Sequence, residues 1–379
     1  LTVTGINGKS CHFKMRSNGF PAQEPGETFT ADFTMTDLPK DAYRASRLSR
    51  GILLQGEYTG GYKTGADSCA PRFALYRLRK NASALLRRWL PRDLGGLEAA
   101  MLLGDKAALP DTVQDTFRAA GISHLLAVSG LHTGIVFALV NLALWWLPLF
   151  RRGHLLKNLL AAVAVWLFVA AAGFPPSAVR AAAMCTVLQA ALASASEYVG
   201  LNALAAAGFG MLVWNPSWLG DISFQLSFVA VAAILAWGVP LCRRCRTRWK
   251  GVNVVVDAYL IGFVATVATA PLVSHTFGVV PLAGLAVNPL AIALAGVVVF
   301  GGALWMLAPV GFLAPAFGFV TGSAAEGISA LARLTASLPG GAADYTLGGW
   351  PTAAVYAVFA LATLAAWSGE PKKNVSLRT

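Results

Sequence analysis

The chain has 379 residues, of which 56% are apolar and 13% charged, with a mean hydropathy of +0.59 and a formal net charge of +12. That balance is too oily for a soluble protein of this size and describes a polytopic membrane protein. Residues 1 to 122 hold 17 Lys+Arg and 12 Asp+Glu, whereas residues 123 to 379 hold 13 and 6, so a polar part precedes an apolar one.

From Leu1 to about Pro71 the pattern is strand-like. Between Gly26 and Met35, Phe29, Ala31, Phe33 and Met35 alternate with Thr28, Thr30, Asp32 and Thr34, the period of a half-buried strand. A second run, Gly51 to Gly60, ends in Gly60-Gly61, and shorter runs cover Leu1 to Ile6 and His12 to Met15. These predict a small β-barrel or sheet of about four or five strands. An OB-like barrel fits best by size, although strand counting does not select it over other small β folds. Leu1 is not a methionine and nothing before Gly26 resembles a signal sequence, so this part reads as starting inside a folded unit whose export signal lies upstream.

The five cysteines are read singly. Cys11 and Cys69 can pair if the polar part is extracytoplasmic, where disulfides persist. Cys185 falls in an apolar helix and reads as inert packing. Cys242 and Cys245 form a C-x-x-C flanked by Arg243, Arg244, Arg246 and Arg248. A zinc site needs two more ligands that this neighbourhood lacks, so they read as reduced thiols in a basic loop and no metal is expected.

Between Arg72 and Arg92 lie seven basic residues (Arg72, Arg77, Arg79, Lys80, Arg87, Arg88 and Arg92), with no acidic one among them. Leu75, Leu78, Ala82, Leu85 and Trp89 recur at helical spacing, which predicts a basic amphipathic helix. Two readings of its charge stay open: a helix lying on anionic lipid headgroups, or a rail that binds phosphates with salt-sensitive affinity. A short helix around Leu97 to Leu103 and a polar helix from Asp111 to Ala120 complete an interfacial region, 72–122.

Nine spans follow, at about 123–147, 155–173, 177–196, 200–214, 221–241, 254–274, 283–308, 314–337 and 350–367. The stretch 314–337 carries Glu326 and Arg333 and fits a re-entrant or interfacial segment. Basic residues gather after the first span (Arg151, Arg152, Lys157), after the fifth (Arg243 to Lys250) and after the ninth (Lys372, Lys373, Arg378). All three groups fall on one side if the first span starts outside, which puts residues 1–122 outside the cytoplasm and the 371–379 tail within it.

Polar residues break the apolar pattern in four places. Gly121 to Gly134 reads G-I-S-H-L-L-A-V-S-G-L-H-T-G, placing His124, Ser129, His132 and Thr133 where hydrocarbon would favour Leu or Val. Gly130 and Gly134 have the small-xxx-small spacing that lets another helix approach. Gly173 to Arg180 makes a turn with Pro175 and Pro176, Ser177 as a candidate helix cap, and Arg180 a few residues into the next helix. Asp221 to Ser227 holds Gln225, and His275 to Pro289 holds Asn288. On the topology above, Arg180, Gln225 and Asn288 lie in the outer part of the membrane. They suit either interhelical hydrogen bonding or an anionic solute entering from outside.

The runs Ala120 to His132, Gly173 to Ala181, Phe224-Gln-Leu-Ser-Phe228 and Phe277 to Pro289 together resemble the ComEC-type competence family, in the family's order, over roughly residues 95 to 310. The N-terminal β part, including Ser49 to Leu54, is similar to that family's extracytoplasmic OB-like domain. The resemblance implies a multi-pass protein of the bacterial inner membrane that passes one strand of incoming DNA to the cytoplasm during natural transformation. Family members typically also carry a metallo-β-lactamase-like domain, but this sequence has no H-x-H-x-D-H cluster, so no nuclease activity is expected of it. Nor does it begin with the initial transmembrane helices that precede the β domain in the family.

In the expected mechanism the β domain and the Arg72 to Arg92 helix gather the phosphate backbone. A strand then threads a hydrated path lined by Ser129, His132, Arg180, Gln225 and Asn288, with Trp89, Phe174 and Phe224 available for stacking. No cofactor is expected. Expected partners are single-stranded DNA, lipids, a separate DNA receptor, a cytoplasmic motor ATPase that supplies the force, and further copies of the chain. Two rival classes are an intramembrane hydrolase using Ser129 and His132, and a transporter of a small anionic or lipid-linked substrate. Against the hydrolase, an i, i+3 pair rarely aims the imidazole at its neighbour's hydroxyl, and no acid is placed to orient the base.

Overall fold

The computed structural model describes residues 1–6, 9–18, 27–39, 44–49, 52–67, 74–89, 92–105, 109–149, 153–193, 199–280, 283–307, 314–338 and 343–368. The expected Cys11–Cys69 pairing, Arg72 and the 371–379 tail lie outside the described residues, as do the side chains of Trp89 and Arg92.

The polar part forms a four-stranded sheet of β1 (Thr2–Ile6), β2 (Lys9–Asn18), β3 (Glu27–Asp37) and β4 (Ile52–Asp67), with helix α1 (Arg44–Ser49) before β4. The strand order is β1-β2-β4-β3, parallel between β2 and β4 and antiparallel elsewhere. β1 and β3 stand at the edges, and no pairing among the described residues closes the sheet into a barrel. Along β3, Ala31 and Phe33 are half-buried while Thr30, Asp32 and Thr34 are exposed, but Met35 is exposed too, so the expected alternation stops one residue early. β4 does not end at Gly60-Gly61. These glycines, at φ 148° and 66°, form an irregularity inside the strand where the register against Asp32 shifts. A β carbon on Gly61 would strike the Asp32 carboxylate, so glycine is needed both for the backbone angle and for the close approach.

The remaining elements are helical. Helices α2 (Ala74–Trp89), α3 (Arg92–Leu103) and α4 (Asp111–Ala119) lead to a 3-10 turn at Ser123–Leu126. Helices α5 (Gly130–Ala143), α6 (Gly153–Ala171), α7 (Pro176–Ala193) and α8 (Gly200–Trp214) follow. α9 (Ile222–Ala233) continues through a π-helical stretch at Ile234–Gly238 into α10 (Val239–Arg244). Pro240 offers no N–H to the ladder, a local reason for the widened turn before it. The last elements are α11 (Lys250–Phe277), β5 (Val279–Val280), α12 (Gly284–Leu307), α13 (Ala314–Ala336), β6 (Ala343–Asp344) and α14 (Gly349–Ser368).

A helix occupies each of the nine stretches expected to span a membrane. Among the described residues, however, four are long and apolar enough to cross one: Gly153–Ala171, Ile222–Arg244, Lys250–Phe277 and Gly284–Leu304. The first expected span is broken. Its opening residues form the 3-10 turn, and α5 has 14 residues, about 21 Å at 1.5 Å per residue against a hydrocarbon core of roughly 30 Å. α13 is one continuous helix with Glu326 and Arg333 exposed, not a re-entrant hairpin.

The chain divides into two compact units, Leu1–Phe228 with Pro281–Ala342, and Val229–Val280 with Ala343–Thr379. In the first, one apolar core joins α3, α4, the 3-10 turn, α12 and α13 through Leu97, Met101, Phe117, Ile122, Val298 and Ile328. A second core joins α6 to α9 through Val165, Val169, Ala182, Met211 and Phe224, with Val128. α5 packs on α6, α7 and α12. In the second unit, Tyr356 of α14 donates to the Ala268 carbonyl of α11 at 2.9 Å, and Trp237 Nε1 donates to Thr363 Oγ1 at 2.9 Å. Cys242 is buried and Cys245 exposed, both as free thiols.

Candidate functional site

On the basic helix α2 the apolar stripe and the face packed against the protein differ. Leu78 and Leu85 are 61% and 40% exposed, while Ser83 and Leu86 are buried at 1% and 3%. The reason is polar: Ser83 Oγ donates to Asp105 Oδ2 at 2.6 Å, and Arg87 reaches both that oxygen (2.6 Å) and Ser83 Oγ (3.0 Å). A carboxylate just past α3 thus sets the rotation of α2, and Arg87 is ion-paired instead of standing free on a rail. Lys80 and Arg88 are exposed, and Arg77 is half-buried. Arg79 is half-buried and has no hydrogen bond or ion pair among the described residues. Its guanidinium lies between Gly104 and Gly173, 3.8 Å from the β-carbon position of each. Both glycines adopt positive φ, 70° and 83°, so neither could carry a side chain there without strain.

The motif that sequence reading singled out forms a turn and a helix start. After the Ser123–Leu126 turn, Ala127 to Ser129 run extended and Ser129 is the N-cap of α5. His132, fully buried, curls back so that its Nδ1 accepts the Ser129 backbone N–H at 2.9 Å. Ser129 Oγ lies 2.8 Å from the same nitrogen. The i, i+3 spacing therefore does aim the imidazole at the neighbouring hydroxyl, contrary to expectation, because a capping-box geometry bends it there. Since a backbone N–H only donates, Nδ1 is the acceptor and the ring proton sits on Nε2, which is buried without a partner. Among the described residues no carboxylate orients that nitrogen, so the pair is a helix cap without the third group of a nucleophile–base relay.

Arg180 meets this cap from α7. It is 6% exposed; its NH1 donates to the Ser227 carbonyl at 3.1 Å, and its Nε is buried without a partner. The guanidinium carbon lies 5.9 Å from the centre of the Phe228 ring. Its NH2 sits 2.8 Å from where a β carbon of Gly130 would be, so Gly130 serves the approach of an arginine as well as that of a helix. Ser177 does not cap α7, which starts at Pro176. Its hydroxyl instead donates to the Val128 carbonyl at 2.9 Å, tying the head of α7 to the residue before Ser129.

Ser129, His132 and Arg180 are thus brought together, while the other two expected path residues go elsewhere. Gln225 donates to the Leu219 carbonyl at 2.7 Å, folding onto the turn before its own helix. Asn288 sits beside Gly284, whose β-carbon position is 3.8 Å from the carbonyls of Ala120 and Gly121, and its Oδ1 is buried without a partner. Of the expected stacking residues, Phe174 is 51% exposed, in the positive-φ region at 55°. Phe224 is 5% exposed and stacks on Phe228 at 4.3 Å, so it belongs to the core. Sequence reading quoted Phe228, Ser227, Gly104 and Gly173 within their runs but gave none of them a role at this site. The F-Q-L-S-F run held a signal for the first two, since its aromatics stand four apart on one helix face. No cluster of three or more His, Cys, Asp or Glu suited to a metal occurs among the described residues.

Residues 101–371 match the family described as "Competence protein". The chain is 27% identical to ComE operon protein 3 of Bacillus subtilis (strain 168) over 206 residues, 54% of this chain and 25% of the relative. It is 32% identical to an uncharacterized protein of Aquifex aeolicus (strain VF5) over 195 residues, 51% of this chain and 43% of the relative. The chain thus spans less than half the length of either relative. No solved structure matches it.

Proposed function

The chain belongs to the competence protein family, and from that premise we propose that it conducts a single strand of DNA through the bacterial inner membrane during natural transformation. A role in DNA uptake follows from the family. The conducting step is the finer reading, and one observation carries it: buried Arg180 lies against Gly130, beside the cap made by half-buried Ser129 and buried His132, and Arg180 Nε and His132 Nε2 find no hydrogen-bond partner among the described residues. Such groups cost free energy in hydrocarbon unless they meet water, a partner or a solute. On this reading residues 1–122 face outward, the C-terminus is cytoplasmic, and a separate receptor and motor ATPase bring and pull the strand.

The test is transformation frequency in a naturally competent host whose only copy is the full-length protein with Arg180→Ala. A loss of transformants with normal membrane levels of the protein supports conduction, and wild-type frequency reduces Arg180 to packing.

A further inference from the structure

We infer that the head of α5 and the Arg180 guanidinium form a seat for one backbone phosphate of the DNA strand, with Arg79 as a second cation beside the same loops. The inference rests on the reading of the chain as a strand-conducting protein and names what the site binds: the phosphodiester, with no preference among bases.

Three observations point the same way. The first backbone N–H groups of α5, at Gly130 and Leu131, have no acceptor within the helix, and the helix dipole places partial positive charge there. Against that positive end lies a permanent cation, with Arg180 NH2 2.8 Å from the β-carbon position of Gly130. Two positive groups pressed together in a buried site repel each other unless an anion lies between them. No carboxylate among the described residues pairs with Arg180. Its Nε is buried and unspent, as is His132 Nε2 in the same first helical turn. A tetrahedral oxyanion fits these donors, since a guanidinium fork and a helix N-terminus both suit phosphate oxygens.

The surroundings limit what enters. The absence of a side chain at Gly130 leaves room for the guanidinium itself, and the Phe228 ring lies near its carbon. Nearer α2, Arg79 reaches between Gly104 and Gly173 without a partner of its own, and Val128, next to Ser129, is 3.1 Å from the Gly104 β-carbon position. Arg180 therefore touches the 128–130 segment directly, and Arg79 approaches Gly104, which packs on Val128.

The experiment uses the full chain in phosphatidylcholine nanodiscs, titrated with a labelled thymidine oligonucleotide at several salt concentrations. A second titration uses the same oligonucleotide with uncharged methylphosphonate linkages. The wild type is expected to bind the phosphodiester strand and not the methylphosphonate one. Arg180→Gln is expected to weaken binding about tenfold, the scale of one charge-assisted hydrogen bond, and to lower the salt slope by about 0.7, one phosphate's share on a single strand. Arg79→Gln should do the same, and Arg180→Lys should restore the slope.

Gly130→Ala keeps every charge and adds one methyl where the guanidinium sits. It should weaken binding as well, which guards against Arg180→Gln acting through misfolding. Wild-type affinity and slope in both Arg180→Gln and Gly130→Ala, with the native chain binding the strand, would overturn the seat and leave the uptake reading standing. A native chain that fails to bind the strand, or binds the uncharged one equally, would overturn the uptake reading itself. Binding restored only by anionic lipid in the discs would assign the seat to a headgroup and overturn its assignment to DNA.

Discussion

Two corners of this protein pair a serine with a histidine and differ in their hydrogen bonds. At the end of α11, Ser274 is fully buried, donates to the Tyr345 carbonyl and accepts the Leu347 N–H at 3.2 Å, while His275 Nδ1 bonds the Leu347 carbonyl at 2.9 Å. Ser274 is fully used in joining two chain segments. At the head of α5, another serine and histidine sit beside an arginine, yet His132 Nε2 and Arg180 Nε have no partner. Buried polar atoms are nearly always satisfied, so these two nitrogens are where the proposed seat is best tested. The Ser/His pair is structural in both corners, joining two segments in one and capping α5 in the other, and the corners differ in the arginine beside the second and in the nitrogens it leaves unpaired among the described residues.

Substitutions can break or sharpen this contrast. The largest effect is expected at Arg180: removing one side of a desolvated charge contact costs ~2–5 kcal/mol of binding. Arg180→Ala should therefore cut strand binding by about two orders of magnitude while the thermal melting temperature holds. A large fall in melting temperature with little loss of binding would make the α5 corner structural like the other. Ser274→Ala should show the reverse, losing ~1–3 kcal/mol of stability in a thermal melt because the Tyr345 carbonyl and Leu347 N–H are left unsatisfied, with strand binding unchanged.

Ser129→Ala comes next, at ~1 kcal/mol for a lost N-cap side chain. The Ser129 backbone N–H would still hold His132 Nδ1, and an esterase assay would read the same background before and after. Loss of a measurable hydrolytic rate would instead revive the nucleophile reading. Arg87→Ala is expected to be the smallest, ~0.5 kcal/mol or less, since its ion pair with Asp105 is 40% and 22% exposed and such pairs contribute little. Its salt slope for strand binding should match that of the wild type, in contrast to Arg79→Gln.

Much of the architecture was legible from residue patterns. The polar start reads as strands, the apolar remainder as helices near the expected positions, and the four family-like runs lie in regions that bear on the site. Two kinds of expectation were less well served. Span counting treated each apolar stretch as a crossing, yet the polar opening of the first is spent on a 3-10 turn and α5 is left too short. Helical periodicity marked Leu78 and Leu85 as part of an apolar stripe, but it held no sign that a single carboxylate, Asp105, turns Ser83 inward. Periodicity weighs apolar area along one helix and has no term for a hydrogen bond offered by the next.

Composition and order along the chain were enough to determine a membrane protein with a small polar β part, its competence-type motifs, and the residue types able to meet an anion. Tertiary packing decided which of those residues meet. Arg180 reaches the head of α5 because Gly130 leaves room and Ser177 ties α7 to Val128, whereas Gln225 spends its amide on a nearby carbonyl and Asn288 stays by Gly284. Hydrophobic burial follows area and can be read residue by residue. A polar contact depends on where two backbones hold their donors and acceptors, and that is fixed only when the helices have packed.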